Sequence, residues 1–436
     1  MRILWVKANK LLPVHSGGDI RSYHIARYLA SQHSLVFLSY YSGPRDADYE
    51  RQLAEHFPGS VCICTGGRES RIGRALDYVS RLASGVPYAV GRFQSREVKD
   101  LLQSWFEPRR FDVAICDFLD AAVNFPAVLS VPSILFQHNV ESEIWRRHAQ
   151  TETSAALRLV YGMEHRRMLA YEQQAVQRFH HVIAVSEHDR SLMSAWVAPS
   201  RLTVVPTGVD LQEYRPCEPD PVERESAPLV IFVGAMDWEP NVDASEYFCQ
   251  QVWPKVLAKV PEARFRIVGR NPDPRVQRLA SNSVEVTGRV PAVIDHLREA
   301  TVVAVPLRIG GGTRLKIYEA MAAGKAVVST SVGAEGLDVH DGYDIILADS
   351  PKAFADSIVT LLSDRELRRR YESSAAEAAA GCGWPGVGKK FEALLVSEHE
   401  MATRPPQHRT GSVPAPDGPR AIDAAFKNGV GPSREF

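Results

Sequence analysis

The sequence predicts an α/β protein built from two Rossmann-like, doubly wound domains that face each other across a cleft. Short apolar runs alternate with helical patterns through residues 1–205, and the alternation restarts through residues 206–380. Most runs end in glycine or a polar turn, as strands do at the carboxyl edge of a parallel sheet, where open sheets bind ligands. A segment crowded with proline and acid, Tyr214 to Pro228, separates the two series and is typical of a linker.

The composition is ordinary for a soluble globular chain. The 436 residues are 45% hydrophobic and 24% charged, with a formal net charge of −1, so we expect no nucleic-acid partner. The six cysteines are scattered, which favours a reducing, cytoplasmic location. The N-terminus lacks a signal-peptide pattern, and no apolar stretch is long enough to span a bilayer. The sequence leaves peripheral contact with the inner face of a membrane open.

The first half contains six apolar runs that predict strands. Gly17 and Gly18 follow the first run and predict a turn, and Asp19 is a candidate N-cap for a helix ending near Ala30. One long, charged helix is expected from Glu152 to Arg178. The predicted strands are Ile3 to Val6, Leu35 to Ser39, Val61 to Cys64, Asp112 to Cys116, Ser133 to Gln137 and His181 to Ser186.

The second half repeats this alternation. Residues 381–400 are predicted as a C-terminal helix that returns towards the N-terminal domain. Residues 401–436 are rich in Pro, Gly and Ser without periodicity, and they predict a disordered tail. The predicted strands are Leu229 to Val233, Arg264 to Val268, Val284 to Thr287, Val302 to Pro306, Val327 to Ser329 and Ile345 to Leu347.

The stretch around the triple glycine, Gly310 to Gly312, carries the clearest chemical signal. A buried strand pattern ends there, and a helical pattern starts at Thr313 and ends near Gly324. Glycines allow a ligand to approach the backbone closely. A helix start presents unpaired N–H groups and a partial positive charge, and together these features bind phosphate.

Two cations occupy the first turn of this predicted helix. Arg314 and Lys316 oppose the helix dipole, which favours acids at that end, so their presence indicates an anion between them and the helix start. The alternative is a solvated first turn in which Lys316 pairs with Glu319.

Six motifs lie along residues 1 to about 395, and each alone is weak. They are GG at Gly17 and Gly18, HNVES from His138, VIAVSEHDR from Val182, VVPTGVD from Val204, VGAMDWEPNVDA from Val233, and the stretch from Gly310 to Gly336. In combination they resemble the family 4 retaining nucleotide-sugar glycosyltransferases, which have the GT-B fold. Within them, HNVES, MDWEPN and GGGTRLK resemble a bacterial subgroup associated with exopolysaccharide assembly.

The resemblance implies transfer of a sugar from a nucleotide-diphosphate sugar to a saccharide or lipid-linked acceptor, with retention of anomeric configuration. It implies no cofactor beyond the donor substrate. Acceptor choice would lie in N-terminal loops such as Tyr40 to Ala47 and Gly66 to Phe93.

Three residues become catalytic candidates through the resemblance. Arg314 and Lys316 would stabilise the charge that develops on the departing nucleoside diphosphate. His138 follows a predicted strand and matches the family's active-site histidine, which would contact the sugar and the diphosphate. A structural histidine is the alternative.

Ten further residues are predicted to bind the donor. Glu319 matches the second glutamate of the family's paired-glutamate motif and would bind the ribose hydroxyls. Gly17 and Gly18 would let the donor approach the other wall of the cleft, with an ordinary turn as the alternative. The predicted donor-binding residues are Gly17, Gly18, Gly234, Arg270, Gly288, Val290, Gly311, Gly312, Thr313 and Glu319.

The sequence departs from the family pattern at two places. Gly311 stands where the first glutamate of the pair is expected, so the sugar hydroxyls would meet backbone N–H groups or another carboxylate such as Glu335. The loop after Gly234 lacks the family's arginine and lysine, and Asn241 is among the residues found there instead. Arg314 and Lys316 are expected to substitute for these cations.

Several alternative functions were weighed against the transferase. The alternation of strands and helices contains no GxGxxG opening and no GxxxxGK[ST]. The sequence also shows no clustered DxD metal signature and no His/Cys ligand set, which favours a metal-independent enzyme. A nucleotide-sugar 2-epimerase would need paired acid and base residues. A catalytically inactive nucleotide-sugar-binding protein would explain the missing glutamate and loop cations.

Overall fold

Two parallel β-sheets, one from each half of the chain, form the predicted α/β architecture. A computed structural model describes residues 1–14, 16–66, 85–107, 110–152, 154–216, 227–309 and 314–403. The first sheet has seven strands in the order β3-β2-β1-β4-β5-β6-β7, and all its pairs are parallel. Its strands are β1 (Arg2–Ala8), β2 (Ser34–Tyr41), β3 (Val61–Cys64), β4 (Val113–Asp117), β5 (Ser133–Phe136), β6 (His181–Ala184) and β7 (Leu202–Val204).

The second sheet has six strands in the order β10-β9-β8-β11-β12-β13, and it is also parallel. In both sheets the strand order reverses beside the first strand, at β1/β4 and at β8/β11. Ligands of open parallel sheets bind at this reversal, outside the carboxyl ends of the strands. Its strands are β8 (Leu229–Val233), β9 (Arg264–Val268), β10 (Val284–Gly288), β11 (Val302–Val305), β12 (Ala326–Ser329) and β13 (Ile346–Leu347).

Helices cover the faces of both sheets in the described part of the chain. In the first half they are α1 (Gly17–Gln32), α2 (Ala47–His56), α3 (Tyr88–Gly91), α4 (Arg96–Trp105), α5 (Glu141–Thr151), α6 (Ala155–Arg178) and α7 (Glu187–Met193). In the second half they are α8 (Glu239–Tyr247), α9 (Trp253–Leu257), α10 (Pro274–Gln277), α11 (Val293–Glu299), α12 (Leu315–Ala322), α13 (Pro351–Ser363), α14 (Arg365–Ala380) and α15 (Trp384–Thr403). A 3-10 helix (Leu119–Asn124) follows β4.

The apolar runs form strands because these strands are covered on both faces. Every residue of β4, β5 and β6 is buried, as is every residue of β11 and β12. Central strands of parallel sheets require this continuous hydrophobicity. Side chains of β1 alternate between two core clusters, with Ile3 and Trp5 on one face and Leu4 and Val6 on the other.

The last helix, α15, packs against the first sheet. The ring of its Phe391 lies 5.9 Å from Trp5 and 5.1 Å from Phe136, measured between ring centroids. Glu392 accepts a hydrogen bond from the Tyr28 hydroxyl at 2.9 Å. Residues Met1–Ala402 form one compact unit that contains both sheets. The boundaries at residues 205 and 380 stay predictions.

Two local predictions are corrected by the structure. Asp19 is not the N-cap of α1, because the Ser16 hydroxyl accepts from the Asp19 amide at 3.1 Å and donates to its carboxylate at 2.6 Å. Gly17 and Gly18 are therefore the first helical residues rather than a turn before the helix. The long charged helix starts at Ala155 rather than Glu152, and α5 precedes it.

Strand predictions agree with the structure to within two residues at each end, and those for β3, β8 and β9 match both ends. Four predicted features lie partly or wholly outside the described residues. They are the triple glycine with Thr313, most of the Gly66 to Phe93 loop (67–84), most of the linker (217–226) and the tail from residue 404 onward.

Candidate active site

The starts of α1 and α12, from different halves of the chain, lie against each other. Leu315, the first residue of α12, packs into the hydrophobic cluster of the first half that contains Ile3 and Trp5. A Cβ added to Gly17 would lie only 3.2 Å from Leu315 Cδ1, and one added to Gly18 would clash with the Phe118 ring at 2.3 Å. Two helix starts bring two partially positive ends to one place, and this arrangement favours an anion.

Arg314 occupies the N-cap position of α12 and is 5% exposed. Its guanidinium lies 5.8 Å from the centre of the Trp238 ring. Burial lowers the pKa of Arg314 to about 10, and the charge of Glu335 opposes this shift. An arginine with such a pKa remains charged at neutral pH, so the site holds a desolvated cation.

Lys316, in the first turn of α12, is held by Asn241 in α8, the helix that follows β8. Its Nζ donates to Asn241 Oδ1 at 2.8 Å and lies 4.6 Å from the centre of the Phe232 ring. The Asn241 amide is oriented by a second bond, from Nδ2 to the Ala235 carbonyl at 2.8 Å. Burial, reinforced by the charge of Arg314, lowers the pKa of Lys316 to about 7. Through Asn241, Lys316 thus contacts the segment after Gly234, which lacks the arginine and lysine that the family pattern has there.

Glu319 lies one turn beyond Lys316 on α12 and is half-buried. Burial, reinforced by the charge of Glu213, raises the pKa of Glu319 to about 7, and Lys316 opposes the shift. Lys316 does not form the first-turn pair with Glu319 that was the alternative prediction. Its Nζ donates to Asn241 instead. The two residues still affect each other's charge through space.

His138 is buried in the first half, with both ring nitrogens engaged. Its Nε2 lies 2.8 Å from Asp117 Oδ1, and its Nδ1 lies 2.8 Å from Arg21 Nη1. Because a guanidinium can only donate, Nδ1 is the acceptor and Nε2–H donates to Asp117. Burial lowers the pKa of His138 well below its ordinary value, despite the opposing Asp117 carboxylate, so the ring is neutral. The Phe118 ring stacks on it at a centroid distance of 3.7 Å.

Asp117, at the end of β4, is the centre of this network. It accepts bonds from Trp5 Nε1 and Ser22 Oγ, each at 3.0 Å, in addition to His138. Lys7 Nζ lies 3.5 Å from Asp117 and 3.2 Å from Asp19. Burial alone would raise the pKa of Asp117, but Lys7, His138 and Ser22 hold it at about 2.

The remaining predicted donor residues that the structure describes lie at the carboxyl edge of the second sheet. The Gly234 amide donates to the Val268 carbonyl, and the Arg270 carbonyl accepts from the Met236 amide. Gly288 has a φ of 71°, which suits glycine, and Val290 packs against the core of this half. Gly311, Gly312 and Thr313 lie outside the described residues.

An ion pair joins the two halves beside Arg314. Arg147 of α5 donates from Nη1 and Nη2 to Glu335 Oε2 and Oε1, at 2.9 and 3.0 Å. His188 Nε2 lies 3.4 Å from Glu335 Oε1. These three side chains line a narrow pocket between the halves together with Asn139 and Ser186.

Solved structures share this architecture. The structure of Anabaena HepE in complex with UDP and glucose aligns over 91% of this chain and 100% of its own, with a TM-score of 0.62 and 15% identity. Sucrose-phosphate synthase from Thermosynechococcus elongatus aligns over 91% and 98%, with a TM-score of 0.66 and 16% identity. Such identities establish the fold alone, and that fold is GT-B.

Family models match both halves of the sequence. Residues 16–213 match the model described as Glycosyltransferase Family 4, and residues 227–364 match the model described as Glycosyl transferases group 1. The chain belongs to the family 4 glycosyltransferases. The GT-B fold and the resemblance to family 4 glycosyltransferases inferred from the motifs are thereby confirmed. The retaining mechanism and the exopolysaccharide-associated subgroup stay predictions.

Two curated relatives of this GT-B protein have names that describe enzymes acting on inositol-containing molecules. The D-inositol 3-phosphate glycosyltransferase of Corynebacterium glutamicum (strain R) is 29% identical over 254 residues, which are 51% of this chain and 58% of the relative. The phosphatidyl-myo-inositol mannosyltransferase of Mycolicibacterium smegmatis is 26% identical over 252 residues, 56% of this chain and 62% of the relative. The chain thus spans less than two thirds of either relative's length.

Some of the predicted site residues lie close together in the fold, and others lie in a different environment. Arg314 and Lys316 share one helix start with Gly17 packed against it, whereas His138 is enclosed by Asp117, Arg21 and Phe118. Sequence reasoning missed Arg21 and Asp117. The available signals were an arginine three positions after the glycine pair and an acid directly after a predicted strand. The catalytic and donor-binding roles stay predictions.

The described ranges contain neither a membrane-spanning helix nor a cluster of metal ligands. None of the helices described here combines the length and the hydropathy needed to cross a bilayer. Within the same ranges, no three His, Cys, Asp or Glu side chains lie grouped as metal ligands would.

Proposed function

We propose that this GT-B protein transfers a sugar from a nucleotide-diphosphate sugar to a saccharide or lipid-linked acceptor, with retention of anomeric configuration and without a metal. One observation carries the proposal: the starts of α1 and α12 meet at Gly17 and Leu315, beside the desolvated cations Arg314 and Lys316. A diphosphate is an anion of the charge that such a site favours.

The proposed chemistry places transition-state stabilisation on the leaving group. The bond between the sugar's anomeric carbon and the phosphate oxygen breaks, and the nucleoside diphosphate gathers negative charge. Arg314, Lys316 and the N–H groups of the helix starts are prepositioned where that charge develops. Their burial strengthens the interaction, because charges attract more strongly where water is excluded.

The acceptor attacks from the face that the diphosphate leaves. Its oxygen forms the new bond to the anomeric carbon, and the departing phosphate oxygen takes the acceptor's proton. Hydrogen bonds to Asp117 and from Arg21 occupy both nitrogens of the neutral His138 ring. These bonds support a step in which His138 is not the base. In this proposal His138 shapes the site by holding Arg21 and Asp117 in place.

The proposal extends to partners and location. Residues 1–205 would bind the acceptor, and residues 206–380 would bind the donor, with Glu319 on the ribose. The names of the relatives, which mention inositol phosphate and phosphatidyl-inositol, support a saccharide or lipid-linked acceptor. We place the enzyme in the cytoplasm at the inner face of the membrane, in the exopolysaccharide-associated subgroup.

A binding and turnover panel tests the proposal. Calorimetric titration with UDP, GDP, ADP and their sugars is expected to show micromolar binding of one nucleotide series, followed by transfer to a saccharide or lipid-linked acceptor. NMR of the product would give the anomeric configuration, and turnover in EDTA would test metal independence. Donor binding without hydrolysis or transfer indicates a binding protein, and a rearranged donor without acceptor indicates an epimerase. Binding of no nucleotide would overturn the proposal.

A further inference from the structure

The pocket beside Arg314 is built from both halves of the chain. The first half contributes Arg147 from α5, and Ser186 with His188 from the start of α7. The second half contributes Glu335 and Gly336, which follow β12. Because neither half forms the pocket alone, a ligand bound there contacts both halves.

Glu335 is the carboxylate that the second half contributes to this pocket. An ionised carboxylate has about four acceptor positions on its two oxygens. Arg147 uses one position on each oxygen, at 2.9 and 3.0 Å. Further acceptor capacity therefore remains on Glu335 after the ion pair has formed, and a donor group that enters the pocket can use it.

Arg147 fixes the orientation of that carboxylate. Its Nε donates to Glu143 at 2.9 Å while Nη1 and Nη2 bind Glu335, so acids on both sides hold the guanidinium. Both partners of the bridge are about one quarter exposed, at 23% for Arg147 and 24% for Glu335. The pair is thus accessible to a ligand and is already in one geometry before the ligand arrives.

The chemical lining of the pocket matches the hydroxyl edge of a sugar, and its volume of about 10 Å³ admits one hydroxyl-sized group rather than a whole ring. Asn139 and Ser186 provide neutral hydrogen-bonding groups, and Val140 and Leu192 provide apolar surface. Sugars present hydroxyls at the ring edge and C–H groups on the ring faces, so they use both kinds of surface. Glu335 is also the charge that most strongly favours the protonated form of Arg314, so the pocket and the proposed diphosphate site are electrostatically coupled.

We infer that Glu335 is a specificity-determining residue that accepts hydrogen bonds from the hydroxyls of the transferred sugar, and that Arg147 is its positioning residue. This inference rests on the proposed function, because it places the sugar beside the diphosphate bound at Arg314. The hydroxyls of an acceptor saccharide offer the same chemistry, and the experiment has a separate arm for them.

The first arm compares a nucleotide with its sugar in the full-length protein. Titrations use UDP against UDP-glucose, UDP-galactose and UDP-N-acetylglucosamine, and GDP against GDP-mannose. In the wild type, the preferred sugar nucleotide is expected to bind more tightly than the free nucleotide. In Glu335→Gln, the free nucleotide should bind as before and the advantage of the sugar should fall about tenfold or more, as for a lost hydrogen bond to a charged group.

Matched variants separate hydroxyl binding from simple bridging of the two halves. As a control, Glu285→Gln removes a carboxylate from Arg266, an arginine that two acids hold outside the pocket, and should alter the sugar's advantage less than threefold. The double variant R147E/E335R can restore an ion pair but leaves no carboxylate at position 335, so it should remain defective. Arg147→Lys keeps the Glu335 carboxylate but loses the two parallel guanidinium hydrogen bonds that orient it. The advantage of the sugar nucleotide should therefore fall only in part.

The second arm measures the acceptor KM in Glu335→Gln. A raised acceptor KM with intact donor-sugar discrimination assigns the hydroxyls to the acceptor saccharide. Unchanged values in both arms, or recovery of discrimination in R147E/E335R, would overturn the inference. If circular dichroism shows that Glu335→Gln does not fold, both arms are measured on Arg147→Lys instead. Discrimination at the wild-type level in Arg147→Lys would then also overturn the inference. Failure of the proposed function is distinct, because the wild type would then bind no free nucleotide.

Discussion

Two regions of the molecule, the Asp117 network and the start of α12, bury charge in opposite ways. Asp117 accepts hydrogen bonds from Trp5, Ser22 and His138, so its charge is compensated inside the protein. At the start of α12, Lys316 has one strong partner in Asn241, which is neutral. The pKa of Asp117 is held at about 2 and that of Lys316 is lowered to about 7, so burial is compensated around Asp117 and left largely uncompensated at Lys316.

This contrast indicates which region awaits an anion. Burying a charge is costly unless it is paired, and a compensated network contributes order rather than reactivity. An uncompensated cation at a helix start gains most when an anion arrives, because the anion supplies the missing charge. The Asp117 network therefore provides a rigid wall, and the start of α12 provides the proposed binding charge.

The largest expected effect breaks the compensated network. Asp117→Ala leaves Lys7 and His138 without their shared carboxylate and is expected to lower the free energy of unfolding by about 3–5 kcal/mol. Urea denaturation followed by circular dichroism measures it. Asp112→Ala, at the other end of the same strand, removes an exposed ion pair with Arg2 and should cost about 1 kcal/mol or less. Equal losses in both variants would contradict the comparison.

The next effect concerns activity rather than stability. Arg314→Ala or Lys316→Ala should lower kcat/KM about 10²-fold or more, as for other lost contacts to a developing negative charge. The free energy of unfolding should change little for Lys316→Ala, because an uncompensated cation is removed. Arg308→Ala is the control, since this exposed arginine of the same half pairs with Asp243. Unaltered kinetics in both variants would remove these residues from the site.

A third prediction uses pH to compare the halves. Burial lowers the pKa of His138 in the folded protein. Between pH 4.5 and 6.5 this residue therefore binds more protons in the unfolded chain than in the folded protein. Because of this difference, its contribution makes the free energy of unfolding rise with pH. Glu319 acts oppositely, because its pKa is raised to about 7 and the folded protein binds more protons from pH 4.5 to 7. Glu319→Gln should therefore steepen the rise in stability by up to about 1.4 kcal/mol per pH unit. Urea titrations at pH 5, 6 and 7 measure this slope, and an unchanged slope would contradict the assignment.

Proton uptake on nucleotide binding sharpens the same comparison. Lys316 has a pKa of about 7, so at pH 8 it is largely neutral in the free protein. A bound diphosphate favours the charged form, and binding at pH 8 should take up close to one proton per site. Calorimetry in buffers of different ionisation enthalpy measures the uptake. Lys316→Arg, which is always charged, should abolish it, and equal uptake in both proteins would refute the role.

The smallest expected effect concerns the helix start of the first half. Ser16→Ala removes the N-cap hydroxyl of α1 and should lower the free energy of unfolding by about 1 kcal/mol. Ser350→Ala removes the corresponding serine cap of α13, a helix without predicted site residues, at a similar cost. Only the Ser16 variant should also weaken nucleotide binding, by a few fold. Equal binding in the two variants would separate the start of α1 from the site.

Local patterns determined the elements of this fold and the candidate cations. Apolar runs that end in glycine predicted the strands, because a buried parallel strand must be hydrophobic along its length. The position of Arg314 and Lys316 after three glycines was legible for the same reason: a helix start and its first turn lie within a few residues of each other. The N-cap at Ser16 was missed because serine and aspartate both cap helices, and only geometry separates them.

Only the tertiary structure decided which distant residues meet. Arg21 and His138 are 117 positions apart, and Arg147 and Glu335 are 188 positions apart. No local pattern encodes such pairs, because they depend on how the sheets stack and on where the chain crosses between the halves. Burial also set the pKa of Lys316, and burial is a property of the folded protein. The sequence alone thus identified the charges, whereas the packing of the two halves determined which of them are compensated.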